Sequence, residues 1–350
     1  MLQEALLMIE RVPIGSRFVG EFDPVLIIAE TAAGHMGKVG LATQLVEIAA
    51  AAKCDAIKFH IESADETIVP GHDIYELAKT LEFEEKEWKE LFFQAKNRGL
   101  LTISMTNDLS SVELAARCGT DAYYVHPGNI VDHTLVRTIS KQRKTVFVGT
   151  GASTLDEIGD AVRLVREAEG NENLVLMYGY QAYPTRIEDN NLRFMQTLAK
   201  LFEVNVGFAD HTDAESHFSG TVPILAIALG ARVIEKHFTV DRKLKLIDYE
   251  SAMNPTELAE LVRQVRALEP ALGSPLPHAF SKEETDYRTL VRKNVVADRH
   301  IAMGEIIDPS MIAFKRSSPG ISPREAGKLV GRKARRHIRK DEVLSWDLLE

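Results

Sequence analysis

Only two cysteines, Cys54 and Cys118, occur in the 350 residues. Two thiols exclude a disulfide framework, leave no thiolate metal site and fit a reducing compartment. No apolar run approaches the roughly 18 residues that span a bilayer. Glu4, Glu10 and Arg11 interrupt the first residues, so no signal-peptide core is expected there. A cytoplasmic location away from any membrane follows as the expectation. Surplus positive charge is also missing: the net charge of -9 disfavours nonspecific nucleic-acid binding. The glycine-rich nucleotide turn is missing too. The first strand-like run ends in Glu30-Thr31-Ala32-Ala33-Gly34-His35-Met36-Gly37, which is not G-x-G-x-x-G, so a doubly wound dinucleotide fold fits poorly.

What is present is an alternation. Short apolar runs begin at Val25, Asp55, Leu100, Ala122, Thr145, Leu174, Val204 and Arg232. Between them lie stripes of helical period, such as Leu41, Leu45, Ile48 and Ala52, or Trp88, Leu91, Phe92 and Ala95. Thr154 followed by Glu157 has the capping-box form, and Asn254-Pro255 reads as an N-cap with proline at the first helical position. Eight strands alternating with about eight helices over roughly 250 residues is the pattern of an α/β fold of the (β/α)8 TIM-barrel type.

Charge divides the chain. Residues 285–350 hold 14 Lys+Arg against 9 Asp+Glu, a balance of +5 that leaves -14 for the rest. Pro270, Gly273, Pro275 and Pro277 mark the boundary. The expected organisation is a barrel over 20–272, a linker over 273–285 and a small domain of short strands and turns over 286–350. The basic run at 332–340 reads either as a solvated face or as a binding patch.

In a barrel the carboxyl ends of the strands converge on one mouth, where chemistry sits. The strand ends would deliver Glu30, then Lys58 and His60, then Asp210 and His211, then Glu235, Lys236 and His237. Charges inside apolar runs are costly unless paired or used. Glu30 and Lys58 read either as a structural ion pair or as substrate contacts. His211 alone could be a core histidine or a loop cap; paired with His237 on the adjacent strand it becomes a metal candidate. Two imidazoles without thiolates suit a divalent cation such as Mn or Mg with several waters. Third and fourth protein ligands are not evident, which argues against closed structural zinc. His35, just before Gly37, could equally be a loop cap.

These residues resemble a known family. Ile28-Ala29-Glu30 with His35 and Gly37, Asp55-Ala56-Ile57-Lys58-Phe59, Thr150-Gly151, Tyr183-Pro184-Thr185, Asp210-His211-Thr212 and Ile234-Glu235-Lys236-His237-Phe238-Thr239 look like the sialic acid synthase (N-acetylneuraminate synthase-like) family. Lys315-Arg316, Gly320-Ile321-Ser322-Pro323 and Gly331-Arg332-Lys333-Ala334 resemble its C-terminal antifreeze-like (SAF) domain. The resemblance implies a transferase of surface-polysaccharide biosynthesis that condenses phosphoenolpyruvate with an open-chain N-acetylated hexosamine to a nonulosonic acid. It implies that His211 and His237 hold the metal, that Lys58 contacts phosphoenolpyruvate, and that Glu30, Tyr183 and Asp248 position sugar hydroxyls. It also implies a domain-swapped homodimer in which Arg316 reaches a partner's site. Glu235 and Tyr124 complete the set of candidate substrate contacts.

The chain departs from the family pattern at the donor side. Met105-Thr106 stand for Thr-Pro, Tyr124 and Pro127 for Lys and Ser, Gly149 for Ser, Gln181-Ala182 for Ser-Asn, Ala209 for Ser and Gly34 for Asn. Each lost charge-assisted bond is worth about 1.5–3 kcal/mol. Tyr124, His126, Tyr178, Tyr180 and Arg186 are the residues expected to rebuild the pocket. Three readings follow: the ordinary condensation, a metal-dependent aldolase-like relative with another donor, and a non-catalytic sugar-binding protein of the same fold.

Overall fold

In the computed structural model, which describes residues 9–168, 172–274 and 277–350, the chain divides into two compact units at Gly273 and Ser274. The first opens with a hairpin, β1 (Val12–Ile14) and β2 (Arg17–Val19). Eight further strands follow: β3 (Leu26–Glu30), β4 (Ala56–Ile61), β5 (Leu101–Thr106), β6 (Ala122–Val125), β7 (Thr145–Gly149), β8 (Leu174–Tyr178), β9 (Asn205–Asp210) and β10 (Val233–His237). They close a barrel in the order β10-β3-β4-β5-β6-β7-β8-β9, and every pairing is parallel. The eight runs read from the sequence are these eight strands, each starting within a residue of its expected place.

Strand alternation sorts the side chains into two apolar layers. Ile27, Ile57, Val146, Val206 and Ile234 face outward and pack under the helical stripes of Leu45, Trp88, Ile158 and Leu261. Ile28, Ile103, Phe147, Val175, Met177 and Val233 fill the interior. Packing there is tight: a Cβ at Gly207 would lie 2.4 Å from Met177 Sδ and 2.7 Å from Val233 Cβ. The helices begin where their caps dictate. Thr154 Oγ1 accepts the Glu157 N–H while the Glu157 carboxylate accepts the Thr154 N–H, starting the helix Leu155–Glu167.

The hairpin was not legible as an element in the sequence. Its Val12, Ile14 and Val19 belong to the interior layer, where they plug the amino end of the barrel. Arg17 pairs with Asp55 at 2.7 Å, and Asn205 Nδ2 donates to the Glu10 carbonyl at 2.8 Å, both at strand starts.

The second unit contains a helix, Lys282–Val291, where the linker was expected to run into the small domain. It then forms an antiparallel pair, β11 (Lys293–Ala297) and β12 (Ile312–Arg316), and several single bridges between turns. Val295, Ile301, Ile307, Leu329, Ile338 and Leu344 make its core. No helix among the described residues is long and apolar enough to cross a membrane.

Candidate active site at the barrel mouth

The strand ends enclose a cavity of about 270 Å³. Glu30, Lys58, Tyr124, Tyr183, His211, Glu235, His237 and Asp248 all line it. The remaining predicted residue, Arg316, belongs to the second unit, exposed at the end of β12. A larger cavity of about 380 Å³ lies at the amino end, with Ile9, Val12, Leu174 and Val204 in its walls. It holds none of these imidazoles.

Lys58 sits at the centre of one wall. Its Nζ forms an ion pair with Glu30, lies 2.8 Å from Glu235 Oε1, and stands 3.7 Å above the centre of the Tyr124 ring. Register explains the cluster. Lys58 on β4 is level with Glu30 on β3, and Glu235 enters from β10 on the other side of β3. Burial pushes the Lys58 ammonium down from its ordinary range, while Glu235 opposes the shift. Glu30 Oε1 also accepts the Ala32 N–H and lies 2.9 Å from His60 Nε2. Glu30 and Lys58 form the ion pair and also line the cavity.

The imidazoles adjoin this cluster: His237 on β10 is level with Glu30 on β3, and His211 follows β9 on the far side of β10. The rings of His211 and His237 have centres 5.1 Å apart. His211 Nδ1 is 2.7 Å from the Tyr180 carbonyl, which holds its proton on Nδ1 and leaves Nε2 as a lone-pair donor. His237 Nε2 is 3.6 Å from Asp248 Oδ2, and its Nδ1 is buried without a hydrogen-bond partner among the described residues. Burial lowers the basicity of both rings, for His237 well below the ordinary value, with His211 adding to the shift. Both are therefore neutral at pH 7, the form that ligates a metal. Tyr183 packs its ring 4.5 Å from His211 and 5.7 Å from His237, centre to centre. Burial raises the Asp248 carboxyl above its usual range. Among the described residues no group of three or more His, Cys, Asp or Glu is assembled to hold a metal. The donor set fits a divalent cation that takes two protein nitrogens and completes its shell with oxygen from water and substrate.

Two expected mouth residues face elsewhere. Lys236 and Asp210 lie on the outer side of β10 and β9, in step with Ile234 and Phe208 of the outer layer. They form a fully buried ion pair at 2.9 Å. Alternation decides this: His237 and Glu235 point inward, so the residue between them cannot. Of the residues expected to rebuild the donor side, Tyr124 and His126 line the cavity. Tyr178 instead packs against Phe194, Arg186 pairs with Asp189, and Tyr180 acts through its carbonyl. Asn107, absent from the sequence-based list, also lines the cavity; it sits two residues beyond inward-facing Met105, which was the available signal. His35 is the loop cap, accepting the Gly37 N–H on Nδ1 at 3.1 Å.

Comparison with known proteins gives a consistent picture. The pattern of the NeuB family matches residues 45–276, and that of the SAF domain matches residues 292–350. The chain is 34% identical over 342 residues to an uncharacterized protein of Methanocaldococcus jannaschii, covering 97% of this chain and 98% of the relative. It is 32% identical over 334 residues to the N,N'-diacetyllegionaminic acid synthase of Campylobacter jejuni, covering 91% and 98%. The crystal structure of an N-acetylneuraminic acid (sialic acid) synthetase from Leptospira borgpetersenii superposes with a TM-score of 0.74 at 30% identity, over 81% of this chain and 98% of that one.

Proposed function

The chain belongs to the NeuB family and ends in a SAF domain, and on that premise we propose that it is a carbon–carbon bond-forming synthase that extends an open-chain N-acetylated amino sugar to a nonulosonic acid for surface polysaccharide. The observation that carries this reading is the pair of neutral imidazoles beside a lysine–carboxylate cluster in one cavity. His211 and His237 would hold a Mn or Mg ion, whose chemistry there is Lewis-acid polarisation of the sugar aldehyde. The tautomer of His211 is set by the Tyr180 carbonyl, which keeps one ring nitrogen available. Glu30 and Asp248 accept hydrogen bonds from sugar hydroxyls, and Tyr183 closes over the rings and keeps bulk water from the reacting carbon.

For the donor half, family membership supplies phosphoenolpyruvate, with Lys58 and Tyr124 nearest to it. In that scheme the methylene carbon bonds to the aldehyde carbon, water adds at the neighbouring carbon, and phosphate leaves. We also place the protein in the cytoplasm as a domain-swapped homodimer, with Arg316 of each copy serving its partner's site. The opposite net charges of the acidic barrel and the basic small domain favour that exchange.

The test incubates the full chain with Mn, a panel of N-acetylated hexosamines, and phosphoenolpyruvate or pyruvate as donor. A product carrying three carbons more than the sugar, seen by mass spectrometry, is the expected result. No such product from any pair, with metal bound, rejects the reading in favour of a sugar-binding protein.

A further inference from the structure

Residues 179–185 follow β8 and carry Tyr183 to the His211 and His237 rings. This loop is tied to β9 and the residues after it at both ends. At its start, a Cβ at Gly179 would lie 2.4 Å from the Ala209 carbonyl oxygen, and the Tyr180 carbonyl meets His211 Nδ1 at 2.7 Å. At its end, the Thr185 N–H donates to the His211 carbonyl at 2.8 Å, and Thr185 bridges to Thr212 in parallel. Thr185 Oγ1 also donates to the Ala182 carbonyl at 2.8 Å. Between these ties the Tyr183 side chain is the loose part: the residue is 41% exposed, so burial does little to fix its ring. Holding an exposed side chain in one rotamer costs entropy that a specific contact must offset.

Gln181 supplies that contact. Its Oε1 accepts the Tyr183 hydroxyl at 2.9 Å. The loop after β7 confines the Gln181 side chain in turn: a Cβ at Gly151 would lie 2.5 Å from Gln181 Nε2, 2.6 Å from its Cγ and 2.5 Å from the Gly179 carbonyl oxygen. Glycine at 151 thus leaves the slot in which the amide lies. Gln181 and Tyr183 both line the cavity, and Gln181-Ala182 is a place where the chain departs from the family pattern. The hydrogen bond also sets a direction. A phenol has one proton to donate and lone pairs to accept with. With that proton given to Gln181, the Tyr183 hydroxyl can only accept from a ligand, and it calls for an O–H or N–H donor on the sugar.

We propose that Gln181 is a positioning residue of this site: it latches Tyr183 over the His211 and His237 rings and makes the Tyr183 hydroxyl a pure acceptor, so that the site selects sugars that present a hydrogen-bond donor to it. This rests on the synthase reading above and leaves its carbon donor and its metal unchanged. Gln181 acts through Tyr183, so its removal should matter only while the Tyr183 hydroxyl is there to be held.

The experiment is a double-mutant cycle on the Mn-loaded full chain. Gln181→Met, Tyr183→Phe and the double variant are compared with the parent, using the N-acetylated hexosamines and phosphoenolpyruvate. Sugar KM and kcat come from product formation, and sugar Kd comes from calorimetry without the carbon donor. Gln181→Met keeps the side-chain length and removes the acceptor. It should raise sugar KM and Kd about tenfold, the weight of one hydrogen bond, while kcat stays within about threefold. In the Tyr183→Phe background the same change should add less than about twofold. Gln181→Glu, which keeps the acceptor, should hold sugar Kd within about threefold of the parent. A Gln181→Met Kd within about twofold of the parent, a loss of equal size in the Tyr183→Phe background, or a Gln181→Glu variant as weak as Gln181→Met overturns the latch and leaves the synthase reading standing. Sugar binding without product overturns the synthase reading, and the Kd cycle then decides the latch by itself. Neither binding nor product in the parent overturns both.

Discussion

Replacing Lys236 by methionine is a sharp test of how the barrel handles charge. Lys236 Nζ lies 2.9 Å from Asp210 Oδ2 and donates to the Thr212 carbonyl at 3.2 Å. Neither side chain of the pair has any solvent exposure. Methionine nearly matches lysine in length, so the variant leaves little cavity. Its cost is the carboxylate left buried without a counter-charge, about 3–5 kcal/mol. With a urea slope of about 3 kcal/mol/M, the unfolding midpoint falls by roughly 1–1.7 M. The second tryptophan, Trp346, belongs to the other unit; changing it to phenylalanine makes Trp88 the reporter of the barrel. Adding Asp210→Asn to Lys236→Met removes the stranded charge and retains an acceptor for the Thr212 N–H, which Asp210 Oδ1 binds at 2.8 Å. The double variant should recover to within about 2 kcal/mol of the parent. A single-variant cost below about 1 kcal/mol, or a double variant no better than the single, would refute the claim that this pair is structural.

Three further outcomes are expected. His211→Ala should abolish both turnover and Mn binding, read by electron paramagnetic resonance of the free ion, while the melting temperature stays within a few degrees. His35 is held down to about 4 by burial, with His60 adding to it, so the unfolded chain binds a proton there that the folded chain refuses; stability is therefore lost as pH falls from about 6.5 towards 4, at up to about 1.4 kcal/mol per pH unit for this group. Urea titrations at several pH values should show that slope reduced in His35→Asn, and an unchanged slope would contradict the assignment. Mixing Arg316→Ala subunits with His237→Ala subunits should restore part of the activity; mixed dimers that form and stay inactive would exclude shared sites.

The barrel was legible because its signal is local. Eight apolar runs spaced by helical stripes are a property of neighbouring residues, and each observed strand begins within a residue of the run that marked it. The imidazoles and the glutamate–lysine pair were legible for the same reason: a polar residue ending an apolar run needs a use. The hairpin β1–β2 escaped because two strands of three residues carry too little pattern, and its apolar side chains are explained only by the barrel end they fill. Asn107 escaped because it lies beyond the last residue of its strand, where alternation no longer guides the eye.

By itself, then, the order of amino acids determined the element sequence, the two-part division of charge and the kinship of both parts, since each depends on short-range pattern. Tertiary structure alone decided which of Glu235, Lys236 and His237 face the cavity, because closing the sheet turns strict alternation into an inside and an outside. It also decided that Lys58 sits between Glu30, Glu235 and the Tyr124 ring. That arrangement brings together side chains from three further strands far apart in the chain, and no local pattern could reveal it.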